Sequence, residues 1–358
     1  MVKHPTFDDA SVGLLTTRSE RRSRERGRHR ITVLFVCLGL CATVIYLGDR
    51  FSSSSFTQME QLSTYNFQHI HQEGHLEQTN DLGYCYEPEK MDRILSLTPN
   101  FKCRCRNPTK PFPQLEKQSF EPWKEHHRSL RQEAEALSGD LDVVFLGDGL
   151  VEKFRGQWNH GLEPATEVGS EFARAFPGKE RGGMQALALG STDDVMSETL
   201  WHVKHGWLPD NLKPKVIVLV PGTMDMDVGH GGMGCSKLNF LDSIVNTAKL
   251  ISETKPNTPV VIHGVLPRVD PIPWGNALGA YWKKIRWINE QLEKACQEKE
   301  NWTYIDSEDV FVAEGYHLRS GVMVDGIRPS DDGYSVWIPS LQEKLRNIMQ
   351  QRESRKQS

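Results

Sequence analysis

The sequence predicts an α/β domain, a three-layer α/β/α sandwich with a mainly parallel five-stranded sheet, preceded by one transmembrane helix. Two observations carry this prediction. Continuous apolar runs of strand length alternate with segments of helical periodicity in the C-terminal two thirds of the chain. In addition, an uncharged apolar run of 18 residues lies near the N-terminus.

The first 50 residues predict a membrane anchor. Residues 1–30 form a basic cytosolic tail, and the apolar segment 31–48 that follows is just long enough to cross a thin bilayer at about 1.5 Å per residue. Asp49 and Arg50 come next, where a cleaved signal peptide would carry small residues, so a signal-anchor is favoured over a cleaved signal or a buried soluble helix. The basic flank predicts type II topology, with a C-terminal domain in the lumen of the endoplasmic reticulum or Golgi.

Residues 49–117 are polar and show no sustained apolar period, which predicts a lumenal stem. Its histidines, His69, His71 and His75, are interpreted as part of a solvated linker rather than as metal ligands, and no metal site or cofactor is expected. The chain has 43 basic and 47 acidic side chains, so nothing in its charge predicts nucleic acid binding.

Five cysteines follow the apolar segment, and a lumenal location would allow disulfides between them. We expect Cys85 to pair with Cys103 or Cys105, and the odd number leaves one thiol free or bridging two chains. Asn301 begins an Asn-Trp-Thr sequon and is the expected glycosylation site.

The three-layer sandwich is predicted over residues 118–350. Five apolar runs predict its strands, at 141–147, 186–189, 215–222, 259–267 and 302–306. Apolar side chains at spacings of three and four predict three of the helices, around 241–251, 282–296 and 334–348. Residues 351–358 are expected to form a disordered tail.

Polar residues follow the predicted strands, where an open parallel sheet places its working groups. Asp148 and Gly149 come after the first strand, Gly190 to Asp194 after the second, and Met224 and Asp225 after the third. The segment Asp325-Gly326-Ile327-Arg328 comes late in the chain.

The order and spacing of these blocks resemble an SGNH (GDSL-type) hydrolase over about residues 120–348, with a flavodoxin-like sheet. Within that group the segments DVVFLGDGLVEKF, VVIHGVLPR and DGIRPSDDGY are most similar to the catalytic subunits of platelet-activating-factor acetylhydrolase. That resemblance also implies a homodimer. The family uses a serine nucleophile, a glycine and an asparagine as oxyanion donors, and an Asp–His pair. Alignment puts these roles at Gly149, Asp193, Met224, Asp325 and Arg328, so only Asp325 is retained.

These departures predict that the inherited reaction is lost, because glycine has no nucleophilic oxygen and arginine cannot act as a base. The first hypothesis is a membrane-anchored, inactive lumenal domain that binds a partner or a polar ligand such as a glycan. The alternative is a secretory-pathway esterase or O-acyltransferase with a rearranged site, built from the aspartates and His230, His263 or His317. The strand-end residues are the cleft candidates, although they also fit plain surface loops with an Asp325–Arg328 ion pair: Asp148, Gly149, Gly190, Asp193, Asp194, Met224, Asp225, Asp325 and Arg328.

Overall fold

The structure, a computed structural model, describes residues 102–111 without 104 and 106, and then 120–137, 139–226, 232–269, 278–313 and 317–357. All of these belong to the second of two units in the chain, Gln78–Ser358. The basic tail, the predicted membrane segment at 31–48 and the stem up to residue 101 lie outside the described residues. Within the described part, no helix is long and apolar enough to span a bilayer.

The strands are numbered β1 to β11 in chain order. They are Lys102–Cys103, Gly139–Asp148, Gln157–Trp158, Glu163–Pro164, Ala186–Ser191, Leu212–Val220, Gly232–Met233, Val260–His263, Trp302–Ile305, Val312–Ala313 and His317–Leu318.

The helices are numbered α1 to α8. They are Glu121–Ala136, Gly149–Glu152, Thr166–Ala175, Met196–His202, Lys237–Thr254, Ala280–Gln297, Glu308–Phe311 and Asp331–Gln357. Short 3₁₀ turns occur at Lys153–Arg155, Lys179–Arg181 and Met224–Met226, and a π turn at Val203–Trp207 extends α4.

Five strands form the central sheet in the order β5-β2-β6-β8-β9, and every neighbouring pair is parallel. The five predicted strands are these five, so this part of the prediction is confirmed. The strands are Val- and Leu-rich runs because both faces of a parallel sheet are covered. Both central strands are buried on both faces: no side chain is exposed to solvent in Val143 to Leu146 of β2 or in Val216 to Val220 of β6.

Helices cover the sheet. On one face the apolar sides of α3, α7 and α8 form a single core with alternate strand residues such as Val143, Phe145 and Val218. The intervening residues, such as Val144 and Leu146, are equally buried, so the opposite face is covered as well. The predicted apolar faces of α5, α6 and α8 are buried as expected, apart from the half-buried Ile348 near the end of α8.

Helix α8 differs from the expectation for the end of the chain. It continues to Gln357, whereas the sequence predicts a disordered tail over residues 351–358. The segment is rich in Gln, Glu, Arg and Lys, which favour helix, and Arg352 Nη2 donates to Thr303 Oγ1 at 3.3 Å.

The last part of the predicted stem is tied to the domain. Cys105 forms a disulfide with Cys235, β1 pairs in parallel with β7, and Asn246 Nδ2 donates to the carbonyl oxygen of Pro108. Cys85 lies outside the described residues, so its expected bridge to Cys103 stays a prediction. Spacing alone did not reveal the Cys105–Cys235 bond, because it links positions 130 residues apart.

The long disulfide predicts a large stability effect. Replacing both cysteines (C105S/C235S) should lower the free energy of unfolding by about 3–5 kcal/mol, because the bond closes a loop of 130 residues in the unfolded chain. Chemical denaturation of the two proteins without reductant measures the difference. Dithiothreitol should then destabilise the parent by more than the double variant, which keeps only the predicted Cys85 bridge to lose, and equal sensitivity of both proteins would contradict the assignment.

Candidate functional site

The predicted site residues meet at the carboxyl edge of the sheet. Gly149 begins α2 directly after β2, Thr192 follows β5, and Met224 lies in a turn just beyond β6. The late segment that contains Asp325 and Arg328 reaches the same edge, because Arg328 lies beside Trp158, which in turn packs on Gly149. The topology therefore brings blocks from four parts of the chain together.

The most informative contact at this edge is between Gly149 and Trp158. A Cβ atom added to Gly149 would lie 2.5 Å from Cζ3 and 2.9 Å from Cη2 of the indole. Real Cβ atoms do not approach other atoms so closely, so the ring occupies the space where a side chain at position 149 would start. Nothing in the sequence pattern around Trp158 shows which way its side chain points, so this contact is not predictable from the sequence.

Trp158 is carried by a short antiparallel hairpin, β3–β4, whose tip is fastened to the sheet edge. Glu152, fully buried, accepts hydrogen bonds from Gly161 N at 2.7 Å, Thr192 N at 2.7 Å and Thr192 Oγ1 at 2.6 Å. Asn159 N also donates to Thr192 Oγ1 at 3.0 Å. One buried carboxylate thus joins the hairpin to the loop after β5, which fixes the indole over Gly149.

Arg328 forms a hydrogen-bonded ion pair with Asp325. Its Nε and Nη2 donate to Asp325 Oδ2 at 2.9 and 2.7 Å, while the backbone NH groups of Ile327 and Arg328 donate to Oδ1. Partial burial alone would raise the pKa of Asp325, but these hydrogen bonds outweigh it and lower the pKa. The ion pair anticipated from the sequence is present, and the guanidinium also lies 5.8 Å from the centre of the Trp158 ring.

Asp148 and Asp225 are buried rather than presented to solvent. Asp148 Oδ1 accepts from Leu150 N at 2.9 Å, and its Oδ2 packs so closely on Gly222 that a Cβ there would be 1.7 Å away. Asp225 Oδ2 accepts from Met196 N at 2.9 Å. Burial raises the pKa of each carboxyl to about 7, and for Asp148 the neighbouring aspartates add to the effect.

Asp194 also turns inward. Its Oδ1 accepts from Trp123 Nε1 at 2.9 Å, and its Oδ2 accepts from His202 Nε2 at 2.8 Å. His202 Nδ1 lies 2.8 Å from His127 Nδ1, and burial lowers the pKa of His127 to about 3. Asp194 is thus part of a buried network between α1 and α4 and does not line a cleft.

The remaining candidates differ in exposure. Asp193 is exposed and has φ 58°, a left-handed conformation that glycine adopts most easily, which agrees with the alignment of a family glycine here. Gly190 is buried, and its carbonyl oxygen accepts from His126 Nε2 at 2.9 Å. Met224 is half-buried and offers no donor hydrogen.

None of the three histidines proposed for a rearranged site is described beside the aspartates. His263 is buried between Ser307 and Trp337, and burial lowers its pKa to about 4. His317, the first residue of β11, is exposed, and His230 falls outside the described residues. Among the ranges that the structure describes, no three His, Cys, Asp or Glu side chains are grouped so that they could hold a metal ion.

A different serine and histidine do approach each other. Ser191 Oγ, buried at the end of β5, is 3.5 Å from Nδ1 of His160 at the hairpin tip. His126 lies behind them, with its ring centre 6.1 Å from that of His160. Ser191 was visible in the second block, but His160 lies in no recognisable motif and only the fold brings it close.

The sequence matches the GDSL-like lipase/acylhydrolase family over residues 145–336, more than half of the chain. The chain belongs to this family. The matched region begins in β2 and ends in α8, so it includes Gly149, Asp193, Met224, Asp325 and Arg328. No curated protein matches the sequence significantly.

Several solved structures share a distant likeness with the chain. A proposed platelet activating factor from Streptococcus pneumoniae is 15% identical, with a TM-score of 0.49 over 64% of this chain and 96% of that one. A GDSL-like lipase from Bacteroides thetaiotaomicron is 19% identical, with a TM-score of 0.46 over 62% and 98%. A lipase/acylhydrolase from Enterococcus faecalis is 17% identical, with a TM-score of 0.41 over 59% and 96%.

The raised pKa of Asp148 predicts a pH-dependent effect of the variant D148N. The folded state keeps Asp148 protonated up to about pH 7 while the unfolded state ionises near pH 4, so the parent loses stability as pH rises through this window. Asparagine does not titrate and retains the acceptor for Leu150 N. The stability of D148N relative to the parent should therefore grow by about 2–3 kcal/mol between pH 5 and pH 8.

Denaturant unfolding at the two pH values measures this difference, and Asp142 provides the control. Burial would raise the pKa of Asp142, but hydrogen bonds from Gln185 N and Lys215 outweigh it and lower the pKa. D142N should therefore lose stability at both pH values. A stability difference between D148N and the parent that does not change with pH would contradict a neutral, buried Asp148.

Proposed function

We propose that this chain is a membrane-anchored member of the GDSL family whose inherited acyl-transfer site is closed, and that its lumenal domain binds a polar ligand. The observation that carries the proposal is the Trp158 indole packed on Gly149. A nucleophilic serine at position 149 would fit only if the indole shifted, and the glycine present supplies no oxygen. The residues at the other aligned positions on the carboxyl edge of the sheet also support a closed site.

The other family roles are also unsupported at their aligned positions. Arginine has no hydrogen-bond acceptor and cannot serve as a general base, and the Arg328 guanidinium is bound to Asp325. Met224 cannot donate to an oxyanion, and a carboxylate at Asp193 would repel one. Loss of a serine or histidine from such a triad costs on the order of 10⁶-fold in turnover. Several losses at one site leave no route for the family's reaction.

Ligand binding is favoured over a purely structural role because polar and aromatic groups remain at the edge. Trp158 is half-buried, and Asp193, Asp325 and Arg328 are exposed. An indole beside charged groups is a common way of binding a sugar or another hydroxylated molecule. The resemblance to platelet-activating-factor acetylhydrolase catalytic subunits adds a homodimer to the proposal.

A second candidate function is an esterase or O-acyltransferase with a rearranged site. The 3.5 Å approach of Ser191 Oγ and His160 Nδ1 favours it, since a serine beside a histidine is the core of an activated nucleophile. Against it, Ser191 is only 1% exposed, so an acyl group could reach its oxygen only if the hairpin moved. The inactive domain is therefore the first proposal.

The first prediction from this proposal concerns activity. The full chain purified in detergent should not hydrolyse p-nitrophenyl acetate above buffer background, and neither G149S nor G149S/R328H should gain activity, because Trp158 fills the space of the new side chain. A variant that also carries W158A, M224N and D193G should turn over measurably, because it regains the nucleophile, the base, the donors and the space.

Single substitutions in the otherwise unmodified chain serve as controls for this prediction: S191A, H160A, D148N, D193N and D325N. Hydrolysis by the unmodified chain that disappears in S191A and H160A would replace the first proposal with the rearranged esterase. Loss in D148N, D193N or D325N alone would assign the reaction to the aspartates instead.

The second prediction concerns topology. Asn301 is exposed in the turn before β9, at the sheet edge opposite the candidate site. In secretory-competent cells we expect N-glycosylation there, detected as a mobility shift after glycosidase treatment that the N301Q variant lacks. An unglycosylated chain whose C-terminal domain is digested by protease outside intact microsomes would contradict the lumenal assignment.

A further inference from the structure

Lys153 is an unusual cation at the candidate site. It lies in the 3₁₀ turn after α2 and is half-buried, with Nζ 5.0 Å from the ring centre of Trp158 and 5.6 Å from that of Tyr334. In the part of the chain that the structure describes, Nζ has no hydrogen bond or ion pair. Two aromatic rings supply favourable contacts for a cation but satisfy none of its three hydrogens.

Arg328 adds a second cation to the same indole. Its Nε and Nη2 are used by Asp325 Oδ2, whereas Nη1 has no partner among the described residues. The guanidinium and the Lys153 ammonium both lie near the Trp158 ring, and the positive charge of Arg328 disfavours the charged form of Lys153. Burial, more than this repulsion, lowers the pKa of Lys153. An anionic group arriving here would relieve both effects.

The nearby carboxylates favour the charge of Lys153 without forming an ion pair with it. Asp331, at the start of α8, and Asp325 both raise the pKa of Lys153, against the stronger effect of burial, and Asp325 is hydrogen-bonded to Arg328. Asp148 is buried with a raised pKa, so it is neutral up to about pH 7. The side-chain donors without a hydrogen-bond partner among these described groups are therefore Nζ of Lys153 and Nη1 of Arg328.

We propose that Lys153 and Arg328 bind the carboxylate or sulfate group of an acidic sugar, whose ring lies near Trp158. This inference rests on the proposed function and names its ligand class. An acidic sugar fits because it combines a charge for Lys153, hydroxyl groups for polar neighbours such as Asp193, and an apolar C–H face for the indole. Leu162 and Val324, both exposed, offer further apolar surface on the adjacent loops.

The test uses isothermal titration calorimetry of the full chain in detergent with glucuronate, glucose 6-sulfate and glucose. Both acidic sugars should bind and glucose should not, and the affinity should fall as sodium chloride is raised. K153Q should weaken binding of the acidic sugars at least about tenfold, the loss expected for one charge-assisted hydrogen bond. K153R should retain most of the affinity because it keeps the charge.

Lys237 supplies the matched control. Its Nζ lies 4.3 Å from the ring centre of Trp287, so K237Q removes a lysine of the same kind and the same charge from another aromatic ring. K237Q should bind the acidic sugars like the parent. Equal weakening by K153Q and K237Q would overturn the site, since general charge would then explain the binding.

The remaining outcomes separate this inference from the proposed function. Binding of glucose as tight as that of glucuronate, without ester turnover, would overturn the anion site and leave the proposed function in place. No binding of either acidic sugar would overturn the inference. Binding that depends on Lys153, combined with hydrolysis of acetylated sugars, would keep the anion site and overturn the proposed function.

Discussion

The packing of the Trp158 indole on Gly149 is the contact on which the character of this domain depends. Any side chain at position 149 would require the ring to shift, because the ring fills the space of a Cβ. The ring is held there by the β3–β4 hairpin, which the buried carboxylate of Glu152 fastens to the loop after β5. Under the proposed function, the position aligned with the family's nucleophile is part of a packed aromatic and polar surface. The parallel sheet beneath it does not depend on that chemistry.

The electrostatics of the carboxyl edge follow from burial rather than from composition. The sequence places five aspartates at the strand ends and in the late loop, which suggests a strongly acidic cleft. Three of them, Asp148, Asp194 and Asp225, turn inward, and Asp325 is paired with Arg328. Burial keeps Asp148 and Asp225 neutral up to about pH 7. Asp193 stays exposed, while the side-chain donors without a partner among the described residues belong to Lys153 and Arg328, two cations near the Trp158 ring.

Much of the fold was predictable because its signal is local. Continuous apolar runs identified all five central strands, and spacings of three and four identified the buried faces of α5, α6 and α8. The ion pair of Asp325 and Arg328 was also visible, since the two residues are three apart. The Cys105–Cys235 bond, the inward turn of Asp194 toward His202, and the approach of His160 to Ser191 were not. Each depends on residues distant in sequence, or on a hairpin tip whose direction no periodic pattern encodes.

The most direct test of the closed site is fluorophosphonate labelling of the full chain followed by intact-mass measurement. This reagent forms a covalent adduct with an activated serine and needs no knowledge of the substrate. A chain whose nucleophile position is Gly149 under Trp158 should remain unlabelled under conditions that label an active GDSL-family hydrolase to completion. Stoichiometric labelling, mapped by peptide sequencing to Ser191 or any other serine of the domain, would contradict the closed-site account.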